Sequence, residues 1–113
     1  MKYILVFLLV FPMISLAEDS ISKSDWGDGL QSALPPILCA PSQIFLSCYN
    51  TDAAGCSKVM RVVTKECIKA IPGIPDMIPV ADSTKWGTEV GKCVGQAYTI
   101  AMTNAGHKKG SCP

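Results

Sequence analysis

Six cysteines, Cys39, Cys48, Cys56, Cys67, Cys93 and Cys112, constrain this 113-residue chain more than any other feature. Whether they become bridges depends on the compartment, and the amino terminus speaks to that. Met1-Lys2 is followed by an uncharged run from Tyr3 to Ala17, centred on Ile4-Leu5-Val6-Phe7-Leu8-Leu9-Val10 and closed by Ser15-Leu16-Ala17. One cation, a short apolar run and small residues at the third-last and last positions form a cleavable secretory leader. At about 15 residues the run is shorter than the roughly 20 needed to span a bilayer. Residues 1–17 are therefore expected to be removed, leaving 18–113 as one domain. No cysteine follows the cleavage site, so lipid modification there is not expected.

Exported cysteines in even number read as a disulfide framework. A zinc site is the competing use, but the sequence has no Cys-x-x-Cys pair and one histidine, His107. No metal or other cofactor is expected. A domain this small buries a modest fraction of its surface, so covalent support has a clear role.

Without Lys2, nine basic and nine acidic residues remain. That balance argues against nucleic acid, whose affinity comes mainly from clustered cations. Lys108-Lys109 is the one local basic pair, and positive charge just past a helix end is its expected use. No second apolar span suggests stable insertion in a membrane.

The clearest element follows the capping turn Asn50-Thr51-Asp52, where Cys56, Val59, Met60, Val63, Cys67 and Ile71 recur at steps of three and four. That spacing predicts a helix over 52–71, stopped by Pro72-Gly73. Asp82-Ser83-Thr84 should cap a last helix over 83–105, with Trp86, Val90, Cys93, Val94, Ala97 and Ala101 on its buried face and Asn104-Ala105-Gly106 as its carboxyl cap. A short helix over 42–49 and a fourth near 25–34, ended by Pro35-Pro36, complete the reading. The proline-rich linker 72–81 should lie packed over the core. The fold class is all-α: a small, disulfide-stapled domain of three to four helices.

If helix 42–49 turns back on helix 52–71, residues equidistant from the turn meet, which pairs Cys48 with Cys56 and Cys39 with Cys67. Cys93 is then left for Cys112. These nested staples resemble the twin-cysteine geometry of coiled-coil-helix mitochondrial proteins, although the spacings are unequal and Pro41 interrupts the first arm.

Gly87, Gly91 and Gly95 form a stripe on the last helix. Each glycine costs a helix about 1 kcal/mol relative to alanine, so the stripe should serve close packing. Seating helix 52–71 or the proline linker is the expected use, with a docking surface as the alternative. Enzyme chemistry is not expected: His107 sits in a tail beside two lysines, no base is poised for a nucleophile, and the acidic residues are scattered as caps and turns. The functional expectation is a periplasmic or secreted, non-enzymatic module that binds an extracytoplasmic protein, as an inhibitor, immunity-type protein or accessory subunit. Arg61, Lys65, Lys92 and Tyr98 on the polar faces are its candidate contacts. The alternative is a carrier of a small apolar ligand lined by Ile44, Phe45, Met60, Met77, Trp86 and Tyr98.

Overall fold

The computed structural model describes residues 19–110. Residues 1–17, expected to be a leader, and Cys112 lie outside the described residues. Within them the chain forms β1 (Ser20–Ser22), α1 (Lys23–Leu38), α2 (Ile44–Ser47), α3 (Ala53–Ala70), β2 (Met77–Pro79), a 3-10 turn (Val80–Asp82) and α4 (Ser83–Asn104). The domain is mostly helical, as the periodicity requires. The two short strands are an addition to the all-α reading. They pair antiparallel with Ile21 opposite Ile78, and backbone bonds from Val80 N to the Asp19 carbonyl and from Lys23 N to the Asp76 carbonyl close the ladder at both ends. The linker is thus packed through Ile74 and Ile78, which are buried, while Met77 and Val80 face outward.

Helix α3 carries the core. Asp52 caps it by accepting from Gly55 N at 2.7 Å, and a side chain at Gly55 would collide with the Thr51 hydroxyl. Its buried residues Cys56, Met60, Val63, Thr64, Cys67 and Ile68 form one face, with both α1 and α4 packed against the helix. Gly27 lets α1 approach closely, since a Cβ there would lie 3.4 Å from Ile68. The other end of the core is closed by α4. Its terminus is a Schellman cap: Gly106, at φ 78°, donates to the Thr103 carbonyl, and His107 N donates to the Met102 carbonyl. Asp82 makes no side-chain cap on α4, contrary to expectation; Ser83 instead donates its hydroxyl to the Val80 carbonyl.

Pro35-Pro36 does not end α1. The helix runs through both prolines to Leu38, with Cys39 N donating to the Pro35 carbonyl at 2.8 Å and Pro35 buried against the core. Each proline removes one i→i−4 donor from the last turns of the helix, a cost that is set against the burial of Pro35. That extension redirects the disulfides. Cys39 bonds Cys56 and Cys67 bonds Cys93, with Cα–Cα distances of 5.9 and 5.8 Å, so the expected pairs Cys39–Cys67, Cys48–Cys56 and Cys93–Cys112 are all corrected. The nested-staple geometry fails because α2 is only four residues long and cannot act as the second arm of a hairpin. Cys48 is also disulfide-bonded. The tail does not fold back along α4: Asn50 N donates to the His107 carbonyl and Lys109 N to the Cys48 carbonyl, which lays the tail against residues 48–50.

Tyr98 ties these parts together. Fully buried on α4, it donates its phenol to the Phe45 carbonyl at 2.6 Å and packs edge-to-face against both Phe45 and Tyr49. Burial pushes its pKa up to about 12, with a smaller contribution from Tyr49. The folded state therefore holds this proton more tightly than an unfolded tyrosine, which titrates near 10. Its share of stability is complete below pH 10 and is lost as pH rises through about 12. Denaturant unfolding should show Tyr98→Phe losing about 1–2 kcal/mol at neutral pH. The gap to wild type should narrow above pH 10, and a constant gap would mean that the phenol is not held neutral. A non-reducing peptide map should recover Cys39–Cys56 and Cys67–Cys93; recovery of Cys39–Cys67 would favour the hairpin instead.

Candidate functional site

The three glycines of α4 follow Trp86, Val90 and Val94 by one position each, about 100° round the helix from the buried seam. They lie on a flank, and what covers that flank decides their use. A Cβ built on Gly87 or Gly91 would meet nothing within 4 Å, whereas one on Gly95 would lie 3.6 Å from the Phe45 ring. Neither α3 nor the proline linker fills the stripe, so the expectation of internal seating is corrected for two glycines of three. Only Gly95 has a neighbour, and that neighbour belongs to α2.

The result is an open depression of about 570 Å³ between α2 and α4. Ile44 and Phe45 wall one side, Gly91 and Gly95 form the floor, and Thr99 and Ile100 complete the outer edge. Ile44 and Ile100 are 58% and 60% exposed, among the most exposed large apolar side chains described. Phe45 is fixed from behind: its carbonyl holds the Tyr98 phenol and its ring packs on Tyr98. One wall of the depression is thus part of the core, and the site is preformed.

The four polar-face candidates do not converge. Lys92 lies at this depression, 3.7 Å from Glu89 in an exposed pair one turn away. Arg61 and Lys65 sit on the other side of the molecule, beside α1. Arg61 borders a groove with Asp28 and Ser57, and Lys65 one with Lys23, Lys69 and Asp76. Tyr98 is withdrawn as a surface contact altogether. It lies one turn from Val94 and one from Met102, in the buried seam, and its polar end is used internally.

The carrier residues do not share a pocket either. Met60 and Tyr98 are fully buried, Met77 is 57% exposed, and only Ile44 and Phe45 line the α2–α4 depression. As for reactive groups, the hydroxyls of Ser47, Thr64, Ser83, Thr88 and Thr99 all donate to backbone carbonyls three or four residues earlier. Each is committed to the helices. No cluster of three or more His, Cys, Asp or Glu that could hold a metal occurs among the described residues.

A second groove, of about 520 Å³, runs between α3 and α4 on a different face. Val59 and Val62 of α3, Ala101 of α4 and the capping residue Ala105 line it, with Lys58, Glu66 and His107 at its edges. Val62 is 53% exposed. The sequence carried a signal for it: Val62 is an aliphatic residue outside the three-and-four stripe that defines the buried face of α3.

No helix among the described residues is long and apolar enough to cross a membrane. No curated protein and no solved structure matches the chain. A family model does, over residues 20–106, from the first strand to the Schellman glycine, under the description "T2SS substrate NttA". The matched segment is the whole helical domain, and the chain belongs to this family of type II secretion system substrates, a membership that supports a secreted or extracytoplasmic location.

Proposed function

We propose that this protein is a non-enzymatic binding module that acts outside the cytoplasm by docking another protein on the α2–α4 flank. The observation that carries the reading is the uncovered glycine floor between exposed Ile44 and Ile100. In a domain this small, apolar surface is worth most inside the core, yet Gly87 and Gly91, which each weaken their helix, lie on an open outer flank. Absence of side chains at Gly87 and Gly91 lets a second backbone approach α4 closely, and the isoleucines supply apolar area on either side of it. Membership in a family of secretion substrates supports the reading, because a substrate must at least be recognised by the assembly that exports it.

Cross-linking supports it too. With α1, α3 and α4 bridged, little conformational entropy remains to be lost on binding. Residues 1–17 act in this reading as the leader removed before the module works, and the mature chain then begins just ahead of the strand that pairs with β2. Whether the partner is an envelope enzyme held inhibited or an assembly that the module completes, the docking surface is the same.

Gly91→Leu separates an external from an internal stripe by sign. On an open flank the substitution should leave thermal stability unchanged or raise it by up to about 1 kcal/mol, through helix propensity. An internal groove would instead lose about 1–3 kcal/mol by overpacking. Wild-type protein used as bait on envelope and culture-medium fractions should retain one dominant protein that Gly91→Leu and Ile100→Asp do not retain. A co-purified lipid or other small molecule with no protein partner, seen by native mass spectrometry, would replace this reading with the carrier.

A further inference from the structure

The outward face of α3, beside the α3–α4 groove, lies apart from the proposed docking flank, and its charges say what can pair with it. Gly55, Lys58, Val59, Val62, Glu66 and Lys69 follow one another along the outward face of this helix, with Val62 at the centre. Lys58 and Glu66 stand four residues before and four after it. Both are exposed, and neither belongs to the one ion pair found among the described residues, Lys92–Glu89.

A helix with an apolar residue midway between a cation and an anion is complementary to itself when reversed. Turned about an axis through Val62, residue 58 of one copy falls opposite residue 66 of the other, at both ends of the contact. Lys69 then falls opposite Gly55, so no cation of this face is set directly opposite another. A parallel pairing would instead set Lys58 against Lys58 and Glu66 against Glu66.

We infer that this face pairs with a second copy of the chain, the two α3 helices antiparallel, Val62 on the two-fold axis and Lys58 of each opposite Glu66 of the other. Such a contact is isologous, with the same α3 face used by both copies. Its size sets its strength. The 18 residues of α3 give a face about 27 Å long, and one helix is about 9 Å wide, so roughly 500 Å² is covered over both copies. That is below the range of stable specific interfaces, so the pair should be weak and populated only at high concentration.

Sedimentation equilibrium of the purified secreted protein, from low-micromolar to near-millimolar concentration, should show the mass rising from one protomer toward two. Val62→Asp should abolish the rise by placing two carboxylates on the axis. Lys58→Glu and Glu66→Lys should each weaken association about tenfold, because each turns two attractive pairs into repulsive ones. The double variant carrying both changes should recover to within about threefold of wild type, since the pairs are restored in reverse. Circular dichroism confirms that each variant keeps its helices. A wild type that stays monomeric throughout overturns the inference, and so does a double variant no better than the singles. Neither result bears on the α2–α4 flank, whose residues are untouched.

Discussion

Cys56 and Cys67 stand eleven residues apart on α3, which returns them to within about 20° of one face. Both described bridges run through them. Cys56 holds the end of α1 through Cys39, and Cys67 holds the middle of α4 through Cys93. Closing segments of 17 and 26 residues removes about 3 kcal/mol of unfolded-state entropy each, in the chain-entropy account. Fixed to both neighbours, α3 can afford a core of modest side chains: Met60, Val63 and Thr64, the last donating its hydroxyl to the Met60 carbonyl. Non-covalent closure comes from the far side, where Tyr98 joins α4 to the Phe45 backbone.

What was legible beforehand was local. A three-and-four stripe, the Asp52 cap and the Gly106 terminus sit within a few residues of what they control, and α3 and α4 begin and end within one or two residues of the expected limits. Disulfide pairing was not legible, because it depended on how far two other elements extend. Running α1 through Pro35-Pro36 to Leu38 carries Cys39 to the start of α3, while shortening α2 to four residues removes the hairpin arm that the equidistance argument required. Local proline preference was outweighed by burial of Pro35.

Tyr98 shows the same limit at a single residue. Its spacing from Val94 and Met102 put it in the buried seam, yet a phenol on a helix reads as a surface contact until an acceptor is known. That acceptor, the Phe45 carbonyl, lies 53 residues away in sequence. The candidate site was half legible for a related reason. The glycine stripe was visible, and its one-residue lag behind Trp86, Val90 and Val94 already placed it on a flank. Only the tertiary structure shows that Phe45 covers Gly95 and stops there, leaving Gly91 and Gly87 open.

The two grooves use α4 in different ways, and this sets how they combine. Against α2 the helix offers glycines and an exposed isoleucine; against α3 it offers Ala101 and, at its cap, Ala105, small residues beside exposed Val62. One face thus lies between α2 and α4, the other along α3 beside the α3–α4 groove. A pair joined through α3 keeps both copies of the α2–α4 flank uncovered and holds them at a fixed separation, because each copy is braced by its own bridges. Two weak contacts held in this way act at high effective concentration on any partner that presents the matching surface twice. A small domain gains strength by this route without enlarging either interface, which fits a chain whose core leaves little apolar surface to spare.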